Sequence, residues 1–95
     1  MKIHISNEAA DWYKNELFLK EGDFVRFFAR YGGFNNYQHG FSLGLSTEAP
    51  EDAGVKEVIN GITYYIEDKD LWYFDDHDLY IDLNPKYMEP EFRIE

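Results

Sequence analysis

Ninety-five residues suffice for one domain, 1–95, whose folding buries about two-thirds of the surface that the unfolded chain exposes. Aromatic residues make up 19% of the chain (eight Phe, eight Tyr, two Trp), too much ring area for a disordered segment. Cysteine is absent, which excludes a disulfide scaffold, a thiolate nucleophile, a zinc finger and a thiolate-held iron–sulfur cluster; the net charge of −10 excludes a basic footprint for nucleic acid and opposes an anionic membrane surface.

Lys2 to Ile5 alternates polar and apolar residues and predicts a short strand. Ser6 or Asn7 then caps a helix, with Glu8 in its first turn, where the helix dipole favours an acid. Ala9, Trp12, Tyr13 and Leu17 follow helical spacing and give the helix one apolar stripe, and Gly22 is expected to end it. Phe24 to Tyr31 predicts a strand, with Val25, Phe27, Ala29 and Tyr31 on one face and Phe24, Arg26, Phe28 and Arg30 on the other. Gly32-Gly33 breaks it. Tyr37 to Ser46 alternates again: Tyr37, His39, Phe41, Leu43 and Leu45 share a face opposite a face of small residues. Thr47 to Gly54 reads as a polar connection.

Val55 to Ile59 and Ile62 to Ile66 flank Asn60-Gly61, the pair preferred where a type I′ hairpin turn needs positive φ at both centres. Asp68 can cap a short helical turn over Lys69 to Phe74. Leu79 to Leu83 alternates as another strand, Asn84-Pro85 stops it, and Phe92 and Ile94 suggest a last short one. The order β-α-β-β-β-β-α-β-β predicts an α+β fold with mostly antiparallel sheets, one N-terminal helix and a short second helix. No apolar run approaches the ~20 residues that span a bilayer. Met1 to Ile5 has neither an apolar signal region nor a cleavage site, so a cytoplasmic location is expected.

The ordered pieces Ile3-His4-Ile5-Ser6 with Ala9-Ala10, Val25-Arg26-Phe27 leading to Gly32-Gly33, Gly40-Phe41-Ser42-Leu43, Asn60-Gly61-Ile62 and Leu79-Tyr80-Ile81-Asp82 cover nearly the whole chain. Together they resemble the HesB-like, or A-type iron–sulfur carrier, family, and in particular a cysteine-poor branch of small proteins of Gram-positive bacteria. The resemblance implies the HesB-like core fold, a distorted barrel or sandwich. It also implies where cluster ligands would sit: one cysteine after Gly-Gly and a Cys-x-Cys near the C-terminus. Here Phe34 follows Gly32-Gly33, and Phe92-Arg93-Ile94-Glu95 stands where the cysteine-bearing tail would begin. The fold therefore carries over and cluster carriage does not, because thiolate is the soft donor that such clusters require.

Two constellations invite function. Gly32, Gly33, Phe34, Asn35, Asn36 and Tyr37 combine backbone freedom, two rings and two amides. That composition suits a recognition surface, and equally suits a wide strand connection with Phe34 tucked into the core. His39, Asp75, His77 and Asp78 supply imidazole and carboxylate donors for a hard or borderline cation, but the acidic run matches no EF-hand spacing and reads first as a solvated turn. No nucleotide-binding glycine pattern and no local nucleophile–base spacing is present. The expectation is a non-enzymatic binding or adaptor domain without a cofactor, joined to a protein partner or to itself. The alternative is a metal-binding protein.

Overall fold

Alternating strands and one short helix assemble into two sheets that share a core. The computed structural model describes residues 1–32 and 40–95. Its elements are β1 (Ile3–Ile5), α1 (Asn7–Glu16), β2 (Phe24–Tyr31), β3 (Phe41–Ser46), β4 (Ala53–Ile59), β5 (Ile62–Glu67), a 3₁₀ segment (Asp68–Phe74), β6 (Leu79–Asn84) and β7 (Glu89–Ile94). The fold is α+β. One sheet has the order β3-β2-β5-β4 and the other β1-β6-β7, and neither closes into a barrel. Three ladders are antiparallel. Two are parallel, β2 with β5 and β1 with β6.

The inward faces follow from the alternation. Val25 and Phe27 of β2, Ile62, Tyr64 and Ile66 of β5, and Leu79 and Ile81 of β6 are all buried. From α1, Ala9, Ala10 and Tyr13 complete this core, and Tyr73 and Phe74 close it from the 3₁₀ segment. Ser6 caps α1 as expected, its hydroxyl accepting from Ala9 N at 3.1 Å. The Ser6 N–H donates to Ile81 O at 3.0 Å, so the helix start is fixed to β6.

The helix does not run to Gly22. It ends at Glu16, with Leu17 as its C-cap and Phe18 in the left-handed region at φ 53. Burial decides this: the left-handed residue turns the chain so that Leu19 enters the core while Phe18 stays 90% exposed. Gly22, at φ +95, instead turns the chain into β2, and its N–H donates to Gly61 O at 2.8 Å. Asn60 and Gly61 both have positive φ, 53 and 80, as a type I′ turn requires.

Asp68 is not the cap of the 3₁₀ segment. Glu67 occupies that position and makes no side-chain cap bond. Its buried carboxylate instead accepts from the backbone N–H groups of Glu51 and Asp52 at 3.2–3.3 Å, tying the β3–β4 connection to the end of β5. Two edge strands are also longer than the sequence suggests. β4 starts at Ala53 through a register irregularity between Ala53 and Val55, and β7 starts at Glu89.

Candidate functional site

Strand order sets where the molecule is open. On one side of the sandwich, the edge strand β4 of the larger sheet touches the edge strand β1 of the smaller. On the other side the edges are β3 and β7, and a groove of about 390 Å³ lies between them. Its floor is Trp12 and Tyr13 of α1. Leu43 and Leu45 form the β3 wall, and Pro90 and Phe92 the β7 wall. Phe92 holds its place through an edge-to-face contact with Phe27, 5.9 Å between centroids. Among the described residues that line it, Glu89 is the charged one.

The groove has a protonated, apolar back wall. Burial raises the Tyr13 phenol well above its ordinary range. Tyr64 behind it is pushed up to about 12, by burial first and then by the charge of Asp11. The Tyr64 hydroxyl donates to Ala10 O at 3.4 Å. Burial thus favours the neutral form of both phenols, so this wall presents uncharged rings.

The opposite face of the larger sheet carries its polar anchor. Arg26 Nη2 donates to Asp70 at 2.9 Å, and its guanidinium lies 5.0 Å from the centroid of the Phe28 ring. The hydrogen bond to Asp70 raises the Arg26 pKa further. Phe28 in turn lies over Gly44, where a Cβ would come within 2.6 Å of its ring. These groups fasten the 3₁₀ segment to β2.

Of the residues singled out from the sequence, Gly32 has φ +88, and its N–H donates to Gly40 O at 2.7 Å as the β2–β3 ladder ends. Gly33, Phe34, Asn35, Asn36, Tyr37 and His39 lie outside the described residues. Asp75 and Asp76 are both left-handed and turn the chain out of the 3₁₀ segment. The His77 N–H donates to Phe74 O at 2.9 Å. Asp78 accepts from Lys2 N at 2.9 Å and shares a 2.9 Å hydrogen bond with His4 Nε2. These contacts hold the Asp78 carboxyl below its ordinary value of 3.8, His4 first and the Lys2 N–H second. His4 also lies flat on Tyr80, 4.4 Å between centroids. Asp75, His77 and Asp78 do not converge: among the described residues no group of three His, Cys, Asp or Glu side chains is placed to hold a metal ion.

The groove itself is not legible in the sequence, which places Trp12 on the apolar stripe of the helix and Leu45 on one alternating face. The available signal was apolar alternation in two strands that both proved to be sheet edges. Edge position is a property of strand order, which the pattern along one strand does not carry.

The family model described as iron–sulphur cluster biosynthesis matches residues 1–95. The chain belongs to this family. A Bacillus subtilis (strain 168) protein named pyruvate dehydrogenase inhibitor is 50% identical over 95 residues, the whole of both chains. An uncharacterized protein of Staphylococcus saprophyticus is 47% identical over 87 residues, 88% of this chain and 89% of its own. One from Staphylococcus aureus (strain MRSA252) is 37% identical over 86 residues, 87% of this chain and 88% of its own. No solved structure matches. Within the iron–sulphur cluster biosynthesis family, this chain presents a donor set that does not fit the cargo. It contains no cysteine, so an iron–sulfur cluster meets no thiolate. Nor do the described imidazoles and carboxylates gather in its place. Among the described residues, no helix is long and apolar enough to cross a membrane.

Proposed function

We propose that this chain is a non-enzymatic cytoplasmic protein that binds pyruvate dehydrogenase and inhibits it, using the iron–sulphur biosynthesis fold as a scaffold for protein contact. The observation that carries the reading is the end-to-end match to the Bacillus subtilis protein that bears the inhibitor name. The chemistry of the molecule supports it. A cysteine-free member of a cluster-handling family has lost the donors for that cargo and kept the scaffold. Its groove is apolar, with one carboxylate at the rim, which favours contact with another polypeptide over turnover of a small substrate.

The test is a titration. Purified protein, added to pyruvate dehydrogenase from the cell that makes it, is expected to lower turnover saturably and to co-elute with the enzyme on a sizing column. Full turnover in the presence of excess protein, with no co-elution, would overturn the proposal.

A further inference from the structure

We infer that the groove between β3 and β7 accepts an extended segment of a partner protein, laid as an additional strand along the free edge of β3, with apolar side chains alternating with lysine or arginine. The inference rests on the protein-binding reading above and adds the conformation and chemistry of what is bound.

The backbone phase of β3 carries the first step. In an antiparallel ladder, directly opposed residues alternate between hydrogen-bonded and non-bonded pairs. Gly32 and Gly40 are a bonded pair, since Gly32 N donates to Gly40 O. Counting along the register, Ser42, Gly44 and Ser46 are bonded to β2. Phe41, Leu43 and Leu45 therefore turn their N–H and C=O groups outward from the sheet. The Phe41 carbonyl already accepts from the Tyr73 hydroxyl at 3.5 Å, as an outward carbonyl should. That leaves Leu43 and Leu45 offering two donors and two acceptors along the rim of the groove, and the same two residues send their side chains into it. A strand placed there continues the sheet and drops alternate side chains between Leu43, Leu45, Trp12 and Phe92.

The facing edge is built differently. Asp78 and Glu95 exchange both backbone hydrogen bonds, so by the same count Pro90 and Phe92 point outward on β7. Pro90 has no N–H to give, which blunts this edge as a template. The sequence thus leaves β3 as the better receiver and β7 as the apolar wall.

Charge selects the occupant. Glu89 stands at the rim. Glu8 and Glu16, both exposed, sit one helical turn either side of Trp12. Arg93, the basic residue of β7, is tied to Asp82 and Glu95. An incoming strand with lysine or arginine between its apolar residues meets this rim favourably. A second copy of the chain brings another net charge of −10 and is repelled.

Hydrogen exchange on the free protein tests this without pyruvate dehydrogenase. The probes are short synthetic peptides of one apolar pattern, valine alternating with lysine or with glutamate. The lysine peptide is expected to protect the Leu43 and Leu45 amides and to bind about tenfold more tightly than the glutamate peptide, as two or three exposed charge pairs would give. Leu45→Pro, which deletes one outward N–H, and Leu45→Lys, which keeps the backbone but opposes the probe's charge, should each weaken the lysine peptide about tenfold. Protection elsewhere or nowhere, equal affinity for both peptides, or protection that appears with protein concentration alone would overturn the inference. Inhibition of pyruvate dehydrogenase retained in both folded Leu45 variants would overturn the groove while leaving the inhibitor reading intact. Loss of that reading alone would leave the peptide result standing.

Discussion

Asp78 shows what a single side chain contributes. It joins the chain's start to its last third through Lys2 N and His4. Its folded pKa is lowered, so its contribution is complete above the unfolded value and is lost as pH falls through the folded one. Asp78→Asn is expected to reduce Tm at neutral pH and to leave a shallower acid limb below about pH 4 than the parent protein shows. Parallel Tm-against-pH curves for the two proteins would count against that role. None of this was legible beforehand. In the sequence His4 is only a polar member of the alternating Lys2 to Ile5 run, because its partner lies 74 positions away. Patterns confined to a few neighbours report which face a residue takes, not whom it meets across the sheet.

At the level of the element, local chemistry was legible where one residue type alone can satisfy the backbone. Asn60-Gly61 made the β4–β5 hairpin readable, and the observed positive φ values follow. What the turn pattern did not show is that Gly61 also sits against the α1–β2 connection. A Cβ there would come within 2.5 Å of Glu21 Cγ, and its carbonyl receives Gly22 N–H. Gly61→Ala is therefore expected to destabilise the protein by about 1 kcal/mol or more, from the positive φ together with the crowding of Glu21. Urea unfolding measures it, and an unchanged midpoint would refute it. The helix end was misread for the converse reason. Gly22 is a good terminator, but the need to bury Leu19 stops α1 earlier, at the cost of placing Phe18 in the left-handed region. Tertiary burial outranked the local stop signal there, as it did at Glu67, whose carboxylate serves Glu51 and Asp52 and not a helix cap.

Taken whole, the molecule belongs to an iron–sulphur cluster biosynthesis family and contains no cysteine. Anaerobic reconstitution with ferrous iron and sulfide, followed by desalting, is expected to leave no visible chromophore. A brown product with matched iron and sulfide would refute the ligand argument. The α+β class and the alternating faces of β2, β3 and β6 were readable from periodicity. Strand order was not, because the parallel ladders β1–β6 and β2–β5 depend on long-range closure that no window of sequence contains. The groove followed from that order and so was hidden with it.

The pairing of β1 with β6 also governs how the protein is made. β1 finds its ladder partner only once Leu79, Tyr80 and Ile81, each 76 positions further along the chain, have been synthesised. Until then β1 lacks its mate and the Ser6 N–H has no Ile81 carbonyl to meet. The smaller sheet thus closes later than the ladders between neighbouring strands. Closure over such sequence distances slows folding relative to a helical bundle of equal size. An interrupted message would release a nascent polypeptide with the four-stranded sheet already encoded and one of its faces bare.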